Sequence, residues 1–201
     1  MKEGKALEVR PLTDKLLGEV VRIHLSGMGY TLNSRLGPDH LRYLYQTMSG
    51  DPGCYVGVAL AGDRPAGVVS GSIDAGRLTS RILRGMAGRR LVRTAAAMLL
   101  QPYLMWLWWQ GTQIGAPVRV HSKEVRAVLT AIVVDPAIQS AGVGRALLNA
   151  FESFLRQRRV HRYRLDTQIA NERAGGFYRE LGFEEAARRA GSIVFVRQLS
   201  R

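Results

Sequence analysis

Apolar positions along the chain switch repeatedly between the period of a strand and the period of a helix. Leu7 to Leu12 reads as a short first strand, after which Thr13 and Asp14 supply N-cap chemistry for a helix to about Met28. Leu16, Leu17, Val20, Val21 and Ile23 form that helix's apolar side, and Gly27 and Gly29 end it. A second helix starts at Pro38-Asp39 and runs to Met48, with Leu41, Leu44, Tyr45 and Met48 at helical spacing. After the turn cluster Gly50–Gly53, two β-like runs, Tyr55 to Leu60 and Ala66 to Ile73, are joined as a hairpin by Ala61 to Pro65. Downstream, Arg162 to Gln168 alternates in strand fashion, with Tyr163 and Leu165 opposite Arg164 and Asp166. Asn171 to Leu181 is a short helix closed by Gly182, and Ala186 to Leu199 is a terminal hairpin turning at Ala190-Gly191.

The segment Ala127 to Leu148 carries the most chemistry. Its valine- and isoleucine-rich start is a buried strand. The chain then passes Asp135-Pro136 and the turn Gln139-Ser140-Ala141-Gly142-Val143-Gly144. From Gly144 or Arg145 onward it becomes a helix carrying Ala146, Leu147, Ala150, Phe151, Phe154 and Leu155 at helical spacing. The first turn of a helix has N–H donors without intrahelical partners, and the peptide dipoles add partial positive charge there. A glycine turn lets the backbone approach a bulky anion with no Cβ in the way. Strand, turn and helix together therefore make an anion site.

Between the hairpin and this segment lies an insertion at about 77–115. No acidic residue occurs from Ala75 through Val118, while Arg77, Arg81, Arg84, Arg89, Arg90 and Arg93 all fall in its first part. On a helix, Arg77, Arg81 and Arg84 share one face, and Leu78, Ile82, Leu83 and Met86 the other. The second part is apolar on every side and holds all three tryptophans, Trp106, Trp108 and Trp109. It is shorter than the roughly 20 apolar residues a spanning helix needs, and Gln101-Pro102 breaks it. Three readings stay open: a lid over a substrate cleft, a subunit interface such as a homodimer face, or an amphipathic foot on an anionic membrane.

Composition adds limits. The chain of 201 residues is long enough for one domain with a sizeable core, and its 46% hydrophobic and 22% charged residues are ordinary for a globular protein. Lys+Arg of 29 against Asp+Glu of 16 leaves +13, which favours anionic partners. The basic stretch carries no recognisable nucleic-acid motif. One cysteine, Cys54, excludes an internal disulfide and a cysteine-based zinc site, and it reads as a small buried hydrophobe. His24, His40, His121 and His161 form no ligand spacing, so no metal is expected. The N-terminus lacks the apolar core of a signal peptide, which makes a cytoplasmic protein, membrane-peripheral at most, the expectation.

The turn Gln139-x-x-Gly142-x-Gly144 after a strand, followed about 30 residues on by Asn171-x-x-Ala174-x-x-Phe177-Tyr178-x-x-x-Gly182-Phe183, resembles the GCN5-related N-acetyltransferase (GNAT) superfamily. The upstream order of strand, two helices and hairpin is similar as well. The resemblance implies an α/β (α+β) fold with a mixed, mostly antiparallel sheet flanked by helices, the insertion falling between the family's third and fourth strands. It also implies acetyl-CoA in a cleft between splayed strands, here 127–134 and 162–168. Backbone N–H groups of Gln139, Ser140, Ala141, Gly142, Val143 and Gly144 would hold the pyrophosphate, with Arg145 adding charge. Ile132, Val133 and Val134 would give main-chain groups to the pantetheine arm, as an added strand does. Asn171 would bond the same arm, and it is equally placed as a helix N-cap; one residue can do both.

Acetyl transfer needs a neutral amine, a polarised thioester carbonyl, a stabilised oxyanion and a protonated leaving thiolate. An N–H near Val134 would polarise the carbonyl. Tyr178 matches the family's general acid, and a phenol with a pKa of about 10 keeps its proton at neutral pH. The base is open: the first splayed strand has no acid between Ala127 and Val134, leaving Asp74, Asp166, His121 or a water relay. The expected acceptor is a primary amine on a small molecule or amino sugar, phosphorylated or linked to a nucleotide or lipid, since guanidinium groups of Arg77–Arg93 pair well with phosphates. A protein amine, or a non-enzymatic basic module on nucleic acid or anionic membrane, are the alternatives.

Overall fold

A computed structural model describes residues 7–86, 88–101, 103, 105, 118–120, 123–138, 142–189 and 191–200. In chain order these form β1 (Leu7–Pro11), a 3-10 turn (Asp14–Leu16), α1 (Leu17–Met28), α2 (Leu32–Arg35), α3 (Pro38–Ser49), β2 (Cys54–Ala61), β3 (Arg64–Ser72), α4 (Ala75–Gly85) and α5 (Arg89–Leu100). There follow β4 (Val118–Val120), β5 (Lys123–Val125), β6 (Ala127–Val134), a 3-10 turn (Pro136–Ile138), α6 (Val143–Gln157), β7 (Arg162–Gln168), α7 (Glu172–Glu180), β8 (Glu184–Arg189) and β9 (Ser192–Gln198). Hydrogen-bonded neighbours run β1-β2-β3-β6-β7-β9-β8, a seven-stranded sheet, while β4 and β5 pair separately. The β6–β7 ladder is parallel; β1–β2, β7–β9 and β8–β9 are antiparallel. This is the mixed, mostly antiparallel sheet flanked by helices that the sequence implies.

The chain gathers into two compact units, one of residues up to Gly71 with Ala131–Phe154, the other of Ser72–Thr130 with Leu155 onward. In the first, Val20, Val21 and Ile23 of α1, Leu41 and Tyr45 of α3, Val58 of β2, and Leu147 and Phe151 of α6 are fully or almost fully buried. Tyr55 lies against Phe154 of α6, with ring centroids 5.2 Å apart. The second unit is built on Tyr163 and Leu165 of β7 and Val194 and Phe195 of β9, all buried.

Several expectations are corrected in detail. Thr13 makes no side-chain cap bond, and the chain enters α1 through the 3-10 turn instead. Gly27 does not end α1 but lies within it, because a Cβ there would collide with the side chain of Val133. The short α2, capped by Thr31, was not expected; its four residues are too few for a periodicity to show. On α3 it is Tyr43 that is buried beside Leu41, Tyr45 and Met48, with Leu44 only half-buried. The first helix of the insertion begins at Ala75, where Asp74 caps α4, and α5 follows it; the β4–β5 pair lies beyond the insertion's expected end. On α4 only Leu78 is buried, and Leu83, expected on the apolar face, stands exposed. The terminal hairpin starts at Glu184, two residues earlier than its composition suggests.

Candidate functional site

Within the first unit, β6 runs into Asp135 and, beyond the 3-10 turn, α6 begins at Val143. Asp135 is pinned from several sides. Its backbone N–H donates to Ala66 O at 2.8 Å, and its carbonyl accepts from Ile138 N at 2.8 Å. Its carboxylate accepts from Arg22 of α1 at 2.8 Å and from Ala137 N at 2.9 Å. The Arg22 guanidinium, and after it the Ala137 N–H, holds this carboxyl below the usual carboxylate range. The exit of β6 is therefore a fixed point and not a loose connection.

The helix start is fixed as firmly. Val143 is buried, and Ala146 N donates to Gly142 O at 2.8 Å, the first bond of the helix. The N–H groups of Val143, Gly144 and Arg145 precede that bond and have no intrahelical acceptor. Gly142 has φ of +118°, a conformation that L side chains rarely adopt, and a Cβ placed there would meet nothing within 4 Å among the described residues. Among the described residues, nothing crowds the N-terminus of the helix at Gly142. This end is held against the strands by Gly67 of β3, where a Cβ would fall 2.8 Å from Val133 O, 2.9 Å from Leu147 Cδ1 and 3.2 Å from Val143 Cγ1.

Of the expected cofactor residues, the structure thus brings Ile132, Val133 and Val134 at the end of β6 together with Gly142, Val143, Gly144 and Arg145 at the start of α6. Ile132 and Val134 are half-buried, and Arg145 is exposed. Gln139, Ser140 and Ala141 lie outside the described residues, as does the candidate base His121. Asp135, Arg22 and Gly67 were not singled out by sequence reasoning. An aspartate followed by proline signals only a turn, and a partner 113 positions away leaves no local pattern.

The remaining expected residues belong to the second unit. Asn171 caps α7, its Oδ1 accepting from Ala174 N at 3.1 Å. Tyr178 is buried on α7, its ring 5.3 Å from that of Phe183 and 5.8 Å from that of Phe195. Asp74, a candidate base, is occupied as the N-cap of α4, accepting from Arg77 N at 3.0 Å. Asp166 is buried with Arg164, whose guanidinium donates to it at 3.0 Å. Burial pushes the Asp166 carboxyl up to about 6, although the positive charges of Arg164 and Arg189 pull the other way.

His24 Nδ1 lies 2.6 Å from the Tyr45 hydroxyl, and burial pulls the imidazole down to about 4, so it is neutral at physiological pH. Cys54 is a buried thiol. No group of three or more His, Cys, Asp or Glu side chains suited to a metal occurs among the described residues.

Comparison with solved structures gives the fold a class. The PaiA N-acetyltransferase of Thermoplasma acidophilum, solved with coenzyme A, superposes with a TM-score of 0.63 at 12% identity, covering 96% of this chain and 99% of that one. The ribosomal-protein-S18-alanine N-acetyltransferase of Escherichia coli matches with a TM-score of 0.59 at 17% identity, over 98% and 96%. An aminoglycoside N-acetyltransferase in complex with CoA matches with a TM-score of 0.63 at 15% identity, over 94% and 95%. At such identities these matches establish a shared fold. No curated protein sequence matches the chain. The sequence model described as the acetyltransferase (GNAT) family matches residues 24–183, most of the chain. The protein belongs to the GNAT acetyltransferase family.

Proposed function

We propose that this N-acetyltransferase moves the acetyl group of acetyl-CoA to a primary amine carried by an anionic small molecule, an amino sugar that is phosphorylated or linked to a nucleotide or lipid. The observation that carries the donor half is the end of β6 fixed by Asp135, followed by Gly142 at φ +118° and the start of α6. Three N–H groups without intrahelical acceptors and the positive end of a 15-residue helix suit a pyrophosphate. Coenzyme A in the structures of the PaiA and aminoglycoside enzymes is consistent with this use. Gln139 to Gly144, with Arg145 adding charge, hold the pyrophosphate, and Ile132 to Val134 offer main-chain groups to the pantetheine arm. Asn171 contributes to that arm while capping α7.

The chemistry is direct attack. The neutral amine adds to the thioester carbonyl, polarised by an N–H near Val134, and the C–S bond breaks as the tetrahedral adduct collapses. Tyr178, by its match to the family motif, protonates the departing sulfur. Its ring packs against those of Phe177, Phe183 and Phe195. The anionic acceptor is motivated by the acid-free segment, in which Arg77, Arg81 and Arg84 of α4 are exposed.

A more specific reading, that the acceptor is lipid-linked and met at a membrane surface, is favoured by one observation. Leu83, Val92, Leu99, Leu100, Tyr103 and Met105 are exposed, Leu99 and Leu100 by 80% and 81%. Exposed aliphatic residues interspersed with arginines suit an anionic bilayer better than nucleic acid, and two copies of an acid-free surface repel each other. No helix among the described residues is long and apolar enough to cross a membrane, so the contact would be peripheral.

The test is a panel of amino sugars, their 6-phosphates, polyamines and lysine peptides with acetyl-CoA, read by thiol release and by mass of the amide. Turnover of phosphorylated amino sugars above their neutral parents supports the acceptor class. Preference for lysine peptides would move it to protein amines, and no thiol release with any amine would sink the reading. Flotation with phosphatidylglycerol vesicles, absent with phosphatidylcholine and lost in Arg81→Glu/Arg84→Glu, is expected of the membrane foot. Equal recovery with both vesicle types would refute it.

A further inference from the structure

β8 is an end strand of its sheet: β9 lies on one side, and among the described residues no strand pairs with the other. Such an edge presents a row of backbone N–H and C=O groups ready to pair with another strand. Glu184, Glu185, Ala186 and Arg188 are exposed, and Ala187 and Arg189 are half-buried. We infer that this edge docks a second copy of this chain, the two β8 strands antiparallel, with Glu184 and Glu185 of each copy opposite Arg189 and Arg188 of the other.

The order of charges is the first support. Glu184-Glu185-Ala186-Ala187-Arg188-Arg189 reads acidic, acidic, small, small, basic, basic. Turned about a twofold axis between Ala186 and Ala187, it sets every acid against a base and alanine against alanine. Parallel pairing in register sets like charge against like, which is destabilising. Charge that served only to keep other strands away needs no such order, since a run of one sign repels its own copy in either direction.

The faces agree with the order. Side chains three positions apart on a regular strand point to opposite sides of the sheet. Here the ladder to β9 shifts between Glu185 and Ala187, leaving Ala186 as the extra residue. Glu185 then stands opposite Phe195 and Arg188 opposite Ile193, on one face, and Arg188 donates to both carboxylate oxygens of Glu185. Glu184, opposite Val196, and Arg189, opposite Ser192, take the other face. A twofold axis normal to the sheet leaves each face on its own side. Glu185 and Arg188 of the two copies therefore close a ring of alternating charge, while Glu184 and Arg189 pair on the reverse.

Neighbouring groups leave room for this. Glu185 also holds Arg179 of α7 at 3.6 Å, yet the Arg188 side chain stays 62% exposed, open to a second carboxylate. On the reverse face Arg189 adds its charge to that of buried Arg164, and an incoming Glu184 offsets it.

The experiment is sedimentation velocity of the full chain over about 1–100 µM, with far-UV circular dichroism beside it to establish folding. Wild type should pass from monomer to dimer across that range. Glu185→Arg and Arg188→Glu each set like charges across the axis and should weaken the dimer at least about 10-fold. Mixed in equal amounts, those two variants present only arginines on one chain and only glutamates on the other at these positions, and should form a heterodimer. A wild type that is monomeric throughout overturns the inference. So do single variants that dimerise as wild type does, which would place the contact elsewhere, and a mixture that fails to associate. Should either variant not fold, Glu184→Arg decides, since Glu184 makes no ion pair within the chain among the described residues: a weakened dimer supports the edge, and one of wild-type strength overturns it.

Discussion

Asp135 is where the fold and the proposed donor site meet, and Asp135→Asn tests whether that junction matters. The wild-type carboxylate accepts from Arg22 at 2.8 Å and from Ala137 N at 2.9 Å. Asparagine can keep one acceptor for Ala137 but must turn its amide N–H toward the Arg22 donors, so the charged bond is lost. A hydrogen bond to a charged group contributes about 1.5–3 kcal/mol. Arg22 is 48% exposed, so solvent screening reduces this to about 1–2 kcal/mol. For a chain of this length that corresponds to a drop in Tm of about 2–8 °C.

The pH dependence gives a second check. Because the folded carboxyl is held below its usual range, its contribution is complete above the unfolded value of about 3.9 and is lost as pH falls through the folded value. The difference in Tm between wild type and Asp135→Asn, followed by calorimetry, should therefore be constant from pH 8 to about 5 and close below about 4. Because Asp135 anchors the entry to the glycine turn, acetyl-CoA affinity should fall along with Tm. Unchanged Tm and affinity at pH 7 would refute the idea that this ion pair positions the loop.

Three further outcomes follow from the same geometry. Gly142→Ala should cost about 1–2 kcal/mol through its positive φ and weaken acetyl-CoA about 10-fold in a calorimetric titration, although the added methyl meets no neighbour among the described residues. Gly67→Ala acts by crowding: with Val133 O 2.8 Å from the new Cβ, an overpacking cost of about 1–3 kcal/mol in denaturant unfolding is expected, with α6 displaced and acetyl-CoA bound more weakly. Tyr178→Phe should lower kcat about 100-fold or more with little change in acetyl-CoA affinity, since only the proton donor is removed; a rate equal to wild type would remove Tyr178 from the mechanism.

The elements that carry the proposed donor half were legible because their signals are local. The apolar run of β6, the glycine turn and the period of α6 lie within one continuous stretch, and Asn171, Tyr178 and Gly182-Phe183 follow at motif spacing. What holds that half together was not legible. Arg22 meets Asp135 across 113 positions, and Gly67 matters only because α6 and β6 close on it in space. The alternation of β7 separates Arg164 and Asp166 from Tyr163 and Leu165, but period alone cannot say that both faces are covered. Both are: Arg164 and Tyr163 are each buried, and that turns a pattern usually left in solvent into a desolvated ion pair. The insertion stays open for a different reason: Leu83, Val92, Leu99 and Leu100 are exposed, and periodicity reports a face and not what covers it.

The central claim is that the start of α6 grips the pyrophosphate of acetyl-CoA. The most direct measurement is a calorimetric titration of the protein with acetyl-CoA and, in parallel, with S-acetylpantetheine, which keeps the thioester and arm but lacks the pyrophosphate. Saturable binding of acetyl-CoA is expected, at least about 10-fold tighter than that of S-acetylpantetheine, with that advantage reduced in Gly142→Ala. Equal affinity for the two compounds, or no binding of acetyl-CoA, would contradict it.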